Sequence, residues 1–185
     1  MGKIKIIGGT HRSRVLEVLD SDGLRPTLGR VRETVFNWLG QDLTGKRCVD
    51  LFAGSGALGL EAVSRNAKSV VFVEKNRLVA QQLTKNLSIL KVTNAQLLID
   101  DALSFMHTSS DTYDVIFIDP PYGADLFVRV VALLANIATS DSLIYLEYDA
   151  YLDGLDQYLR IVKQAKAGNV TYGLYQLIIM TDSKR

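Results

Sequence analysis

Asp50-Leu51-Phe52-Ala53-Gly54-Ser55-Gly56-Ala57-Leu58-Gly59 is the stretch that decides the fold. Residues 47–52 form an apolar run that stops at a glycine turn, and residues 57–63 then carry a helical pattern. Gly54, Gly56 and Gly59 fall in the spacing G-x-G-x-x-G, and Glu74 follows Gly54 by 20 residues, at the end of the next apolar run. In this arrangement glycines allow a tight turn and close approach to a ligand, and the acid can hold ribose hydroxyls. The spacing alone does not choose the ligand. A nicotinamide dinucleotide would set its pyrophosphate on the helix N-terminus. S-adenosylmethionine has no phosphate and brings a cationic ammonium and sulfonium, for which Asp50 is a suitable neighbour.

Outward from this turn, strand and helix alternate. Residues 70–74 predict a second strand and residues 77–90 a second helix. Residues 96–100 predict a strand, 102–106 a short helix, 113–118 a strand, 125–138 a third long helix and 142–147 a fifth strand. Residues 158–164 and 172–181 read as two closing strands around Gly168-Asn169. Alternation of this kind predicts a parallel sheet covered on both faces, with one antiparallel member supplied by the closing hairpin. Upstream, residues 3–7 and 15–19 predict a small hairpin, and Arg25-Pro26-Thr27 a break. Leu28, Val31, Val35, Trp38 and Leu39 then recur at helical spacing up to Gly40, with Arg30, Arg32 and Glu33 off that stripe. The expected division is an arm of residues 1–40 and a catalytic unit of residues 41–185.

Composition narrows the class. The chain has 185 residues, 48% hydrophobic and 22% charged, which are globular values. No apolar run approaches the ~18 residues of a membrane span, and the start alternates rather than reading as a secretory signal. Cys48 is the single cysteine, so no internal disulfide forms, and no metal-spaced cluster is seen. A cytoplasmic, metal-independent monomer is the expectation. The net charge of +1 hides an asymmetry. Within residues 1–40, Lys3, Lys5, Arg12, Arg14, Arg25, Arg30 and Arg32 outnumber Glu17, Asp20, Asp22 and Glu33. A basic arm on a slightly acidic body suits a polyanionic partner.

Two further acidic sites end predicted strands. Asp101, in Asp100-Asp101-Ala102, can cap the short helix, and it can also accept a hydrogen bond from an adenine amino group. Asp119-Pro120-Pro121-Tyr122 follows the apolar residues 115–118. Two prolines make a stiff, extended stop that donates no backbone hydrogen bond. A carboxylate, outward carbonyls and an aromatic ring suit a flat group that donates two hydrogen bonds, such as the exocyclic amine of a nucleobase. Its nitrogen is a poor nucleophile because the lone pair is delocalised. Bonds from its two protons to Asp119 and the Pro120 carbonyl would free that pair, while Tyr122 stacks on the base for ~1–3 kcal/mol. The remaining requirement is placement of the methyl donor in line. His11 and His107 read as exposed turn and helix-end residues, Cys48 as a small core hydrophobe and Trp38 as core. Glu61 and Lys75 read as helix-surface charges.

The chain resembles the class I S-adenosylmethionine-dependent methyltransferases. More narrowly, it is similar to the bacterial 16S ribosomal RNA guanine-N2 methyltransferase (RsmD) family. The carrying segments are Ile6-Ile7-Gly8-Gly9, Leu24-Arg25-Pro26-Thr27, Val31-Arg32-Glu33-Thr34-Val35-Phe36-Asn37-Trp38-Leu39, the turn from Asp50 to Ala62, and Asp119-Pro120-Pro121-Tyr122. The resemblance implies a Rossmann-like fold with a seven-stranded, mostly parallel sheet, helices on both faces, and an N-terminal hairpin and helix. It implies methyl transfer to N2 of one guanine, nucleotide 966 of 16S ribosomal RNA, within the small subunit or an assembly intermediate. The expected cofactor contacts are Asp50, Phe52, Gly54, Ser55, Gly56, Glu74, Asp101, Ala102 and Asp119. The expected catalytic group is Asp119, Pro120 and Tyr122, and the expected RNA contacts are Arg12, Arg14, Arg25, Arg30 and Arg32. The alternatives are an adenine-N6 methyltransferase on DNA or RNA, a nicotinamide-dependent oxidoreductase, and a non-catalytic ribosome assembly factor.

Overall fold

A computed structural model describes residues 2–19, 29–120, 124–148 and 154–178. The hairpin strands are β1 (Gly2–Lys5) and β2 (Val15–Val18), followed by helix α1 (Gly29–Leu39). Alternation then runs β3 (Arg47–Asp50), α2 (Ala57–Ser64), β4 (Ser69–Val73), α3 (Arg77–Ile89), β5 (Ala95–Leu98), α4 (Ala102–Thr108), β6 (Tyr113–Ile118) and α5 (Ala124–Leu133). The chain closes with β7 (Ala138–Tyr148), β8 (Leu159–Ala167) and β9 (Val170–Leu177). Seven strands form one sheet in the order β5-β4-β3-β6-β7-β9-β8. Neighbours from β5 to β7 are parallel, and β9 runs against both β7 and β8. The expected α/β architecture and its single reversed strand are present. The strand order turns about β3, which lies between β4 and β6. That is the point where ligands of open α/β sheets sit, beyond the carboxyl ends of the strands.

One predicted element is corrected. The expected helix over residues 125–138 ends at Leu133, a 3-10 turn covers Leu134–Asn136, and β7 has begun by Ala138. Buried Val131, Leu134 and Ile137 are spaced by three, which suits the tighter 3-10 turn as well as an α-helix, so apolar spacing did not reveal the change. The Asn136 side chain holds the turn by donating to the Met106 carbonyl at 3.1 Å.

Each face of the sheet is buried. β6 shows why: Val115 and Phe117 point to one side, Ile116 and Ile118 to the other, and all four are buried. One face carries α4 and α5, through Phe105, Met106, Val130 and Val131. The other carries α2, the hairpin and α1: Ile4 and Leu16 of the hairpin and Val35 and Phe36 of α1 share a cluster with Leu60, Phe72 and Phe117. The hairpin register pairs Ile4 with Leu16 and Lys3 with Glu17, so apolar side chains turn inward and charges outward.

A buried charge cluster ties the arm down, and it corrects two expectations. Glu61, read as a surface charge, is fully buried on α2. Its carboxylate accepts the Ile7 and Gly8 backbone N–H groups at 2.9 and 2.8 Å, and pairs with Arg65 at 2.9 Å. Arg32, expected off the apolar stripe and facing RNA, is buried as well. Its Nη2 donates to the Lys5 carbonyl at 3.0 Å, and its Nη1 lies 4.0 Å from Glu61. Burial lowers the Arg32 pKa, and the charge of Glu61 opposes that shift. A 3.6-residue period places position 32 between Val35 and Phe36, inside the buried face, so this arginine reaches a carboxylate instead of water.

Candidate functional site

The glycine turn is held from below. Asp50 ends β3 as a buried carboxylate and accepts the Gly59 N–H at 3.0 Å. Gly59 lies in the first turn of α2, where backbone donors have no partner within the helix. Burial pushes the Asp50 carboxyl up to about 7; the backbone bonds from Gly59 and Phe52 pull it down, and the charge of Glu74 pushes it further up. Gly56 caps α2 with φ of 77°, and a Cβ there would lie 2.5 Å from the Leu83 side chain. A Cβ on Gly59 would lie 2.2 Å from the Phe72 ring. These two positions admit only glycine without repacking.

Glu74 stands just past β4 and reaches back to the turn. Its Oε2 accepts the Gly54 N–H at 2.8 Å and its Oε1 the Asn76 N–H at 2.7 Å. Asn76 in turn caps α3. Beside the turn, Gly54 and Ser55 border a shallow cleft walled by Val18 and Leu19 of the arm and by Val79 and Gln82 of α3. The Gln82 and Asn86 side chains donate to the Glu17 carbonyl at 3.2 and 2.9 Å, fixing the arm against α3. Phe52 and Ser55 are half-buried. Asp101 caps α4 through Oδ1, which accepts the Leu103 and Ser104 N–H groups at 3.0 and 3.4 Å, while Ala102 packs into the core.

Asp119 and Pro120 follow β6, half-buried, at the carboxyl edge of the sheet next to β3. Tyr122 and Arg25 lie outside the described residues. Sequence reasoning missed a neighbouring group. Tyr145 of β7 is fully buried, and its hydroxyl donates to Glu147 Oε2 at 2.7 Å. Burial holds the Tyr145 phenol well above its usual range, and the charges of Glu147 and then Asp119 add to the shift. The available signal was an acid closing the strand that follows the proline-ended one.

Of the expected RNA contacts, Arg12, Arg14 and Arg30 are exposed on the arm. Lys75 is exposed, as expected. Cys48 is buried, and burial pushes its thiol up to about 12. Trp38 packs against the core and stacks on Tyr172 at 5.6 Å.

The donor set discriminates between cofactors. The turn's Gly54 N–H, which a pyrophosphate would need, is bonded to Glu74. Carboxylates stand around the turn, with Asp50 buried beneath it, Glu74 bonded to it and Asp101 at the start of α4; they repel phosphate and suit hydroxyls, an amine and a cation. This set suits S-adenosylmethionine better than a dinucleotide, whose pyrophosphate would meet these charges.

The family model described as "Conserved hypothetical protein 95" matches residues 4–176. "Ribosomal RNA small subunit methyltransferase D" of Escherichia coli (strain K12) is 43% identical over 179 residues, covering 95% of this chain and 90% of that protein. The solved structure of yhhF from Escherichia coli superposes with a TM-score of 0.84 at 39% identity, covering 95% of this chain and 98% of that one. The Thermus thermophilus 16S rRNA N2 G1207 methyltransferase, solved with AdoMet and guanosine, has a TM-score of 0.73 at 21% identity and is similar in fold. It is matched over 95% of this chain and 49% of its own.

Proposed function

We propose, on the premise that the chain belongs to the ribosomal RNA small subunit methyltransferase D family, that it transfers a methyl group from S-adenosylmethionine to the exocyclic N2 of a guanine in 16S ribosomal RNA. The target is the nucleotide 966 class, within the small subunit or an assembly intermediate. The observation that carries this reading is the position of Asp119-Pro120, at the strand end beside the glycine turn and its carboxylates. Two macromolecular features support it: Arg12, Arg14 and Arg30 are exposed on the arm, and the arm meets the turn through the cleft at Gly54 and Ser55. The enzyme is read as a cytoplasmic monomer that needs no metal.

The cofactor supplies an electrophilic methyl carbon on a sulfonium. Glu74 would hold ribose hydroxyls, Asp101 and Ala102 would meet the adenine, with Asp101 accepting from its amine, and Phe52, Gly54, Ser55 and Gly56 would line the turn around the cofactor. Asp50 lends negative charge beneath it. Asp119 and the Pro120 carbonyl would accept hydrogen bonds from the two N2–H groups, which disfavours conjugation with the ring and turns the nitrogen lone pair toward the methyl carbon. Tyr122 stacks on the base. The N–C bond would form as the C–S bond breaks, leaving the neutral thioether, and N2 would pass one proton to water. Positioning and electrostatics carry the rate.

The test uses methyl-labelled S-adenosylmethionine with small subunits from a strain lacking the modification, and naked 16S RNA and duplex DNA in parallel. Digestion and mass spectrometry should identify N2-methylguanosine from small subunits. N6-methyladenine in any arm would overturn the substrate. No label in any arm, with cofactor bound, would favour an assembly factor.

A further inference from the structure

Asp119 has a carboxylate neighbour that the transfer step does not use. β6 and β7 are parallel, with Phe117 beside Tyr145 and Ile118 beside Leu146. One step further along this register sets Asp119 beside Glu147, on the face that Phe117 and Tyr145 share. Glu147 is half-buried, and Tyr145 holds one of its oxygens at 2.7 Å. The other oxygen has no hydrogen-bond partner among the described residues, and none of the described cations pairs with Glu147. On its far side Glu147 pairs with Tyr172, whose ring stacks on Trp38. Burial raises the Glu147 carboxyl pKa, and the Tyr145 bond holds it down. Tyr145 lies within reach of both acids, since the charges of Glu147 and Asp119 both raise its phenol.

Guanine has donors for two such acids. Its N1–H and N2 amine stand side by side on one edge. Adenine carries a bare acceptor at N1, so an acceptor placed for guanine meets a lone pair. Adjacent strands lie about 4.8 Å apart, close enough for their terminal side chains to reach neighbouring groups of one base. Resting on the guanine reading above, we propose that Glu147 reads guanine by accepting its N1–H while Asp119 and Pro120 hold N2, with Tyr145 as the positioning residue. Asp119-Pro120 by itself fits any exocyclic amine. Glu147 supplies the selection, because adenine would leave a half-buried carboxylate facing an acceptor.

The experiment compares wild type, Glu147→Gln and Tyr145→Phe on undermethylated small subunits. It also uses subunits reconstituted with 2-aminopurine at the target, which keeps the 2-amino group but has an acceptor at N1. Wild type should methylate guanine at least about tenfold faster than 2-aminopurine in kcat/KM, the lower end expected from leaving one polar group unsatisfied. Glu147→Gln should lose about 10–100-fold on guanine and narrow that preference, since a carboxamide can donate to N1. Tyr145→Phe should mainly raise KM for subunits. Cofactor affinity and the thermal midpoint should hold in both variants. Equal losses on both bases, or guanine activity unchanged in Glu147→Gln, would overturn the proposal. So would a wild type indifferent to 2-aminopurine, a result that does not depend on any variant folding. Wild type yielding no N2-methylguanosine would instead defeat the functional reading itself.

Discussion

Two groups of carboxylates, one on α2 beneath the arm and one along the carboxyl edge of the sheet, are treated differently. Glu61, under the arm, is closed off: both oxygens are bonded, Arg65 pairs with it and Arg32 stands 4.0 Å away. Along the carboxyl edge of the sheet, Glu74, Asp101 and Glu147 bond backbone N–H groups or a phenol, and none pairs with a cation among the described residues. A charge neutralised within the protein serves assembly. Charges left without a cation suit a ligand that brings its own cation or donors. The sharpest way to break this contrast is to remove its closed member. Glu61→Ala strands two buried guanidiniums and two backbone donors, so it should cost about 3–5 kcal/mol in urea unfolding. A loss under about 1 kcal/mol, the range of exposed pairs, would mean the cluster does not anchor the arm.

The open edge should respond oppositely, in activity and not in stability. Asp119→Ala should lower methyl transfer by about 10²–10³-fold, the usual cost of losing one group aimed at a reacting centre. Its cofactor dissociation constant should stay within several-fold and its unfolding midpoint near wild type. Persistent transfer would remove Asp119 from the acceptor role. Loss of cofactor binding would place it with Glu74 instead.

The contrast also explains what sequence could and could not tell. Glycine spacing, strand-end acids and a proline stop are local signals, and each is set by backbone geometry within a few residues of the turn it marks. The sheet and the places of Asp50, Glu74, Asp101 and Asp119 followed from them. Arg32 and Glu61 are 29 positions apart in sequence, and nothing local says that they meet. Their burial is a tertiary fact, made by docking the hairpin on α2. Glu147 was hidden differently. Its strand was expected, but its meaning depends on which strand lies beside it and in what register.

The correction at Arg32 sharpens the RNA prediction. Neutralising Arg12, Arg14 and Arg30 together should weaken RNA binding and reduce the salt slope by up to about 0.7–0.9 per lost phosphate contact. Arg32→Ala should leave that slope alone and lower stability. An unchanged slope in the triple variant would move the RNA surface off the arm.

The smallest expected effect concerns Asp50, which belongs to both groups: buried like Glu61, yet beside the open edge. Its folded carboxyl titrates near 7 against an ordinary 3.8. Between those values the folded protein holds a proton that the unfolded chain has released. Its contribution to stability is therefore present at low pH and declines as pH rises from about 4 to 7. A sulfonium and an ammonium nearby favour the charged form, so cofactor binding should expel that proton below pH 7. Affinity for S-adenosylmethionine should then climb several-fold from pH 6 to 7.5 and level off above, with a ceiling of about tenfold per pH unit. Calorimetry in buffers of different ionisation enthalpy would count the proton directly. Asp50→Asn should abolish both the release and the slope while keeping an acceptor for Gly59. A wild type whose affinity is flat across this range would mean that the Asp50 charge is spent on the turn alone, as Glu61 is spent on the arm.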